Sequence, residues 1–261
     1  MTGEQADAQD APAGADAFAE VRRRLARARC VLFDFDGPIC RLFPDGASRR
    51  VADELRDLVD ASGAGHLLGA AERAGKDPHL VLRAVHRARC AEGGPGSSSL
   101  ARLLRVLEER VTAGELAAAE RAAAHPQWHT PSVDALIRTL ADRGVRMAVV
   151  TNNSPLAAEA HLGRRGLLEY FATVQGRRPD DPGLMKPDPD VLVRALDAVG
   201  VAPEDAVMIG DTDADVRAAA RAGVPFVGYG RDARAVRALR RARADLVVTS
   251  YAPLADGAWD R

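Results

Sequence analysis

The sequence is poor in aromatic residues, in cysteine and in long apolar runs. Aromatic residues make up only 4% of its 261 positions. The core must therefore be built from aliphatic and small side chains, and the abundant alanine favours helices. The three cysteines, Cys30, Cys40 and Cys90, have no C-x-x-C spacing, which argues against a disulfide framework or a zinc site. No apolar run approaches the length that spans a bilayer.

An excess of charge is also absent, since 36 basic residues face 37 acidic ones and the formal net charge is −1. A general nucleic-acid-binding protein carries a basic excess, and the one locally basic stretch, 233–243, is more typical of a helix with a solvated face. The N-terminus lacks the basic and apolar segments of a signal peptide. We therefore expect a cytoplasmic protein without a nucleic-acid or membrane partner. The composition leaves the oligomeric state open.

Apolar segments that alternate with helical patterns predict an α/β fold. Continuous apolar strands of this kind are typical of a doubly wound parallel sheet covered by helices on both faces. Residues 1–17, which are poor in large apolar groups, predict a disordered leader. The predicted strands are 30–34, 147–151 and 206–211, with weaker candidates at 172–175, 225–228 and 245–249. The predicted helices around them are 18–28, 132–143, 155–165, 189–199, 213–222 and 231–242.

One interval is far longer than a crossover between parallel strands needs. It separates the first strand from the helix predicted at 132–143. We therefore predict an all-helical domain at 41–129, inserted between two parts of a core domain at 18–40 and 130–261. Its predicted helices are 47–61, 64–74, 78–90, 97–110 and 113–123.

Four polar segments lie at the carboxyl ends of predicted strands or in the loops that follow. Ligands of doubly wound sheets bind in the crevice at those strand ends, so we expect distant residues to meet in one site. The segments contain Asp34 with Asp36, Thr151 with Asn152, Lys186, and Asp211 with Asp215.

These segments resemble the motifs of the haloacid dehalogenase superfamily. The matching stretches are DFDGPI at 34–39, VVTNN at 149–153, KPDP at 186–189 and GDTDAD at 210–215, in the family's order. The resemblance covers about residues 30–230. It implies a Rossmann-like core with an α-helical cap inserted after the first motif.

The resemblance implies a Mg²⁺-dependent phosphatase that works through an aspartyl-phosphate intermediate. Asp34 would be the nucleophile, and a divalent cation would reduce the repulsion between its carboxylate and the phosphate. Asp36 would protonate the leaving alcohol and later deprotonate the attacking water. The resemblance also places the backbone carbonyl of Asp36 on the metal.

The remaining motif residues would bind phosphate and metal. Thr151, Asn152 and Lys186 are expected to bind the phosphoryl group, and the cation on Lys186 favours the ionised nucleophile. Asp211 and Asp215 supply oxygen ligands of the kind that suits Mg²⁺. Lys186 and Thr151 therefore join the two aspartates at 34 and 36 as catalytic residues.

Simpler interpretations exist for parts of this pattern. Asp211, Asp213 and Asp215 could instead cap a helix, and Asp213 is more typical of a helix start than of a ligand. A calcium loop is excluded because Val216 and Ala222 replace its glycine and its glutamate. The joint pattern of four segments favours a site.

One residue departs from the family pattern. Pro38 stands where the family usually has threonine or valine, and it removes a backbone donor. It removes neither the nucleophile nor a metal ligand, so we expect an effect on efficiency or substrate rather than on the type of reaction.

Three functions stay open. The first is a small-molecule phosphatase similar to phosphoglycolate or sugar phosphatases, and the second is a phosphomutase, which shares every motif. The third, from another class, is a non-catalytic phospho-acceptor or binding module, against which the order of the motifs argues. Specificity would depend on the inserted domain, whose candidates, each more typical of a solvated or core residue, are Arg41, Arg49, His66, His79 and His86.

Overall fold

A computed structural model describes residues 15–92, 99–256 and 259 of the chain. Its strands are β1 (Cys30–Phe33), β2 (Arg146–Val150), β3 (Thr173–Gln175), β4 (Ala206–Gly210), β5 (Phe226–Tyr229) and β6 (Val247–Val248). They form one sheet in the order β3-β2-β1-β4-β5-β6, and every neighbouring pair is parallel. The predicted parallel α/β fold is therefore confirmed, including its three weaker strands.

Ten α-helices occur in the described residues. They are α1 (Ala15–Arg27), α2 (Ala47–Ala61), α3 (Ala70–Ala74), α4 (His79–Ala91), α5 (Ser99–Ala124), α6 (Val133–Asp142), α7 (Pro155–Arg164), α8 (Asp190–Val199), α9 (Asp213–Ala222) and α10 (Ala233–Arg241). Across 15–92, 99–256 and 259, none of them combines the length and apolar character that crossing a bilayer requires.

The central strand β1 is buried on both faces. Successive side chains of a strand point to opposite sides of the sheet. Val31 and Phe33 accordingly pack in one apolar cluster with α1, α6 and α7, which we call the sheet core. Cys30 and Leu32 pack on the other face with α8 and α9. Helices on both faces explain why this strand is apolar at every position.

Helices α2–α5 lie between β1 and β2, and we call them the helical insertion. They enclose an apolar cluster of their own, separate from the sheet core. The largest buried members of this cluster are Leu55, Leu82, Leu104 and Leu107. An insertion with its own core matches the kind of unit that the sequence predicts at 41–129, although the boundaries 41 and 129 stay a prediction.

The prediction of two helices at 97–110 and 113–123 is wrong. The structure has the single 26-residue helix α5, and residues 97–98 lie outside the described part of the chain. Gly114 lies within this helix and allows close packing: a Cβ there would lie 2.9 Å from a methyl group of Val51 on α2. Tertiary packing therefore outweighs the low helix propensity of one glycine.

Two smaller differences occur near the ends of predicted elements. The predicted helix at 64–74 is divided into a 3₁₀ turn, Gly65–Leu67, and the short α3, because Leu68 and Gly69 between them have extended backbone. Helix α1 begins at Ala15, so residues 15–17 are helical rather than part of the predicted leader. The rest of that leader, 1–14, lies outside the described residues.

The core of the insertion generates a test of stability. Leu107 is fully buried in it, whereas its neighbour Val106 is 41% exposed. We expect Leu107→Ala to lower the free energy of unfolding by about 2–5 kcal/mol, because it removes buried methyl groups and leaves a cavity. Val106→Ala should change it by no more than about 0.5 kcal/mol. Chemical denaturation of both variants measures the difference, and equal effects would contradict the packing described here.

Candidate active site

The carboxyl ends of three adjacent strands meet at one edge of the sheet. Asp34 follows β1, Thr151 follows β2 and Asp211 follows β4. Lys186 approaches the same place from the long segment between β3 and α8. The four segments singled out in the sequence therefore converge, as expected for ligand sites of doubly wound sheets.

The Lys186 ammonium lies at the centre of this edge and is almost completely buried. Its Nζ donates hydrogen bonds to Asp34 Oδ1 at 2.8 Å and to the carbonyl oxygen of Val150 at 2.9 Å. It also lies 2.7 Å from Asp215 Oδ1. Burial alone lowers the pKa of Lys186, but the carboxylates of Asp215 and Asp34 raise it above the ordinary value. The group is therefore a permanent cation, and a phosphate oxygen has to replace one of these partners to contact it.

Three carboxylates surround this single ammonium. Oxygen atoms of Asp34, Asp211 and Asp215 lie within 4.8 Å of one another. Burial raises the pKa of Asp34 to about 7, although Lys186 opposes the rise. Burial and the carboxylate of Asp34 raise the pKa of Asp211 well above its usual range. Negative charge in the cluster is thus under-compensated.

A divalent cation fits this donor set. Asp211 Oδ1 is buried and has no hydrogen-bond partner within the described ranges. A buried oxygen of this kind costs free energy unless a donor or a cation approaches it. Carboxylate oxygens are the ligands that Mg²⁺ prefers, so the residues predicted at 34, 211 and 215 suit that ion.

Asp215 has a capping role as well as a place in the cluster. Its Oδ2 accepts hydrogen bonds from the backbone N–H of Asp211 and of Thr212 and from the Thr212 hydroxyl. The Thr212 hydroxyl in turn accepts from the Asp215 N–H, which completes a capping box at the start of α9. Its other oxygen, Oδ1, lies 2.7 Å from the Lys186 ammonium, so Asp215 would hold a metal or its water through an oxygen that it shares with Lys186. Asp213 is exposed and pairs with Arg217 at 2.9 Å, as expected of a helix-start residue.

Asp36 lies outside the carboxylate cluster. Its Oδ1 accepts a hydrogen bond of 2.8 Å from the backbone N–H of Leu42, at the beginning of the segment that leads into the insertion. Burial raises its pKa above the ordinary value, against the lowering effect of the Leu42 N–H and of Arg231. A carboxyl group that keeps its proton more readily is suited to act as a general acid.

The turn after Asp34 requires glycine. Gly37 has φ +114°, and a Cβ there would lie less than 3.0 Å from the Asp211 carboxylate. The Thr130 hydroxyl donates to the Gly37 carbonyl at 2.6 Å, which ties the turn to the chain leaving the insertion. Pro38 is buried in the same turn and is not among the residues that line the cleft.

Thr151 and Asn152 use their side chains differently. Thr151 Oγ1 accepts from the backbone N–H and the side-chain amide of Asn153, both at 3.1 Å, and within the described ranges its own hydrogen has no acceptor. That hydroxyl is therefore free to donate to a phosphate oxygen. The Asn152 side chain instead accepts a hydrogen bond of 2.8 Å from the Lys186 backbone N–H and donates one of 3.2 Å to the Lys186 carbonyl. Asn152 could therefore contact a phosphate only through its backbone N–H.

A cleft of about 400 Å³ opens above these residues, between the sheet edge and the insertion. Of the five residues that the sequence offers for specificity, Arg41 and His79 line it, and the other three do not. Lys76 and Arg231 add two cations that the sequence gave no reason to select. The insertion side of the cleft is formed by Arg41, Phe43, Pro44, Ser48, Lys76, Asp77, Pro78 and His79.

Sequence reasoning missed a buried polar network beside the cleft. Glu115 of α5 contacts His79 and Arg177. The side chains of Glu115 and Arg177 are almost completely buried, and that of His79 is 12% exposed. In the sequence Glu115 is one charged residue of an alanine-rich helix, the pattern of a solvated face. Only the position of α5 between the insertion and the sheet core places it inside the molecule.

Comparison with known proteins gives a consistent result. A family model of haloacid dehalogenase-like hydrolases matches residues 28–223. The chain is 32% identical over 213 residues to a phosphoglycolate phosphatase of Rhodospirillum rubrum, an alignment covering 78% of this chain and 82% of that protein. It is 29% identical over 205 residues to a phosphoglycolate phosphatase of Cupriavidus necator, covering 77% and 80% respectively.

A solved structure shares the fold. CbbY from Rhodobacter sphaeroides, crystallised with a xylulose bisphosphate, matches with a TM-score of 0.55 at 24% identity. The match covers 86% of this chain and 95% of that one. At this identity the likeness concerns the fold alone.

The contact between Gly37 and Asp211 generates a test of the carboxylate cluster. We expect Gly37→Ala to displace the Asp211 carboxylate, because the new methyl group occupies its space. Stabilisation of the protein by added Mg²⁺, measured as the rise in Tm, should then be lost. Gly144→Ala is the control, since Gly144 also has a positive φ of +73° but open space around its Cβ position.

Both substitutions should cost about 1–3 kcal/mol of stability from backbone strain. Only the change at Gly37 should abolish the response to Mg²⁺. An undiminished rise in Tm for Gly37→Ala would show that Asp211 takes no part in holding the ion.

Proposed function

The chain belongs to the haloacid dehalogenase-like hydrolases, and we propose that it hydrolyses a small-molecule phosphate monoester with Mg²⁺ through an aspartyl-phosphate on Asp34. One observation carries this proposal. The Asp34 carboxylate lies against the buried Lys186 ammonium at 2.8 Å, in a cluster of three carboxylates that includes an unpartnered Asp211 oxygen. A cation would compensate the excess negative charge of such a cluster. The Asp34 carboxylate lines the cleft, where a substrate would bind.

Asp34 is positioned for attack by the elements around it. Its backbone N–H bonds the carbonyl of Ile209 in β4, which continues the sheet up to the nucleophile. Oδ1 is held by Lys186, and we assign the bond to phosphorus to the other oxygen. A bound Mg²⁺ would offset the repulsion between this carboxylate and the phosphate. The groups that would hold the ion are the carboxylates of Asp34, Asp211 and Asp215 and the backbone carbonyl of Asp36.

Asp36 would move the proton. A raised pKa lets its side chain carry a proton into the reaction and give it to the leaving oxygen. The resulting carboxylate would then remove a proton from the water that cleaves the acyl phosphate. The bond from the Leu42 N–H holds Oδ1, which leaves Oδ2 for both transfers.

The transferring phosphoryl group would be bound by Thr151, Asn152 and Lys186. The Thr151 hydroxyl has a free hydrogen, and the Asn152 amide fixes the backbone that carries Lys186. Preorganised donors of this kind stabilise charge that develops in the transition state. Thr151 and Lys186 would bind phosphate through their side chains, and Asn152 through its backbone N–H.

The cleft favours a substrate with a second anionic group. The cations Arg41, Lys76 and Arg231 line it alongside the proposed catalytic residues. The relatives from R. rubrum and C. necator are phosphoglycolate phosphatases, and phosphoglycolate carries a carboxylate next to its phosphate ester. We infer a small phosphorylated acid as the substrate class and the insertion, at 41–129, as the cap that selects it.

Replacement of the nucleophile is the first test of this function. We expect Asp34→Asn to abolish phosphate release from 2-phosphoglycolate and from a panel of phosphorylated metabolites, because an amide cannot form the acyl phosphate. The fold should be retained, as judged by circular dichroism. Asp213→Asn, an exposed aspartate of the GDTDAD motif, should leave turnover unchanged. Chelation of Mg²⁺ should stop the wild type. Turnover near the wild-type rate in Asp34→Asn would remove Asp34 as nucleophile.

Replacement of the proton donor is the second test. Asp36→Asn should lower kcat by about 10²–10⁴-fold, the usual contribution of a general acid and base. The loss should be smaller for p-nitrophenyl phosphate, whose leaving group needs little protonation. Steady-state rates with both substrates measure this difference. An unchanged kcat with 2-phosphoglycolate would reject the role of Asp36.

A further inference from the structure

Helix α5 carries two buried carboxylates at the junction between the insertion and the sheet core. Its first half contributes Leu104 and Leu107 to the insertion, and its last turns contribute Ala118 and Ala119 to the sheet core. Glu108 and Glu115 lie between, with side chains 5% and 0% exposed. Carboxylates this deep are unstable unless paired and hydrogen-bonded. Their partners therefore indicate what holds the junction together.

Glu115 binds three different parts of the chain. Its Oε1 lies 3.0 Å from His79 Nε2 and 2.7 Å from Arg177 Nη1. Its Oε2 accepts from Arg177 Nη1 and from the backbone N–H of Ser154, both at 2.8 Å. Every partner is a donor, so both oxygens act as acceptors. One side chain of the insertion thus joins two segments of the core.

Two of these partners hold the loop 151–154, which we call the phosphate loop because it begins with Thr151. Ser154 is its last residue and the N-cap of α7, where a carboxylate also complements the helix dipole. Arg177 donates from Nη1 to the Asn152 carbonyl at 3.3 Å and from its backbone N–H to the Asn153 carbonyl at 3.1 Å. Glu115 therefore reaches the loop directly through Ser154 and indirectly through Arg177.

The third partner belongs to the wall of the cleft. His79 is the first residue of α4, lines the cleft and places its other ring nitrogen 3.2 Å from Asp77 Oδ1. Burial opposes the charged imidazole, but the Asp77 and Glu115 carboxylates raise its pKa to about 9. Both ring nitrogens are thus engaged, and His79 supports the wall rather than offering a free donor to the substrate.

We propose that Glu115 is a positioning residue that holds the phosphate loop in register with the cleft wall of the insertion. This inference rests on the proposed function, since it assigns the loop at 151–154 to phosphate binding. Glu115 touches none of the reacting atoms. It acts through Ser154 and Arg177 on the loop that presents the Thr151 hydroxyl, and through His79 on the side that faces the rest of the substrate.

Glu108 provides a matched comparison. It lies on the same helix, is almost equally buried and pairs with the same arginine, from Oε2 to Arg177 Nε at 2.8 Å. Unlike Glu115, it contacts neither Ser154 nor His79 in the described part of the chain, and its Oε1 has no hydrogen-bond partner there. A role limited to stabilising buried Arg177 would make the two glutamates equivalent. If Glu115 positions the phosphate loop, only the replacement of Glu115 should weaken the binding of phosphate.

The test compares Glu115→Gln with Glu108→Gln. In Glu115→Gln an amide NH₂ replaces one of the two oxygens that accept hydrogen bonds. It then faces an N–H donor, so at least one hydrogen bond is lost and the phosphate loop should shift. We expect kcat/KM for p-nitrophenyl phosphate to fall by about 10- to 100-fold, the size of effect that small misplacements of reacting groups produce. Glu108→Gln should stay within about threefold of the wild type under conditions where both variants are folded. Equal losses in the two variants would overturn the proposal.

A binding measurement separates this inference from the proposed function. Orthovanadate with Mg²⁺, as an analogue of the phosphoryl group, should raise the Tm of the wild type and of Glu108→Gln but not that of Glu115→Gln. A wild type that binds vanadate without turnover would refute the proposed function, and the vanadate response would then decide the role of Glu115. A wild type that neither binds vanadate nor turns over substrate would refute both the proposed function and the role of Glu115. Should Glu115→Gln not fold, Arg177→Lys replaces it, because lysine cannot bond Glu115 and Asn152 together.

Discussion

The structure depends on one buried ammonium among carboxylates. Lys186 is the cation that makes it possible to bring Asp34 and Asp215 to the same sheet edge, and it is itself held charged by them. Desolvated ions of this kind are tolerated only when they are paired with good geometry. With Asp211 added, the carboxylates outnumber the ammonium, and this imbalance suits the site to a divalent cation. The chemistry therefore follows from incomplete charge compensation.

The fold supplies this geometry with little local strain. Parallel strands end at the same edge, so the loops after β1, β2 and β4 converge without unusual backbone, apart from the positive φ of Gly37. Lys186 arrives from a longer segment, and its backbone is fixed by the Asn152 amide. Regular elements thus position Asp34 and the loop at 151–154, and the hydrogen bonds of the Asn152 side chain position Lys186.

The helical insertion both lines the cleft and contacts the loop at 151–154. Its long helix α5 runs from the insertion's apolar cluster into the sheet core. Because one helix belongs to both clusters, it fixes the insertion relative to the sheet. Glu115 is located where that helix passes the phosphate loop. The cations that line the cleft come from both the insertion and the core, so in the proposed function both units would contact the substrate. A site on this junction can vary its substrate without altering its reaction.

The sequence by itself determined the parallel α/β fold, the family and the convergence of the aspartates, Thr151 and Lys186. It could do so because apolar strands and their polar ends are encoded locally, within a few residues of each motif. Only the tertiary structure decided that α5 is one helix across Gly114, that the Asn152 side chain serves Lys186, and that Glu115 and Arg177 are buried. Burial depends on which surface an element meets. A glutamate in an alanine-rich helix has the same local pattern whether it faces water or an arginine from a distant strand end.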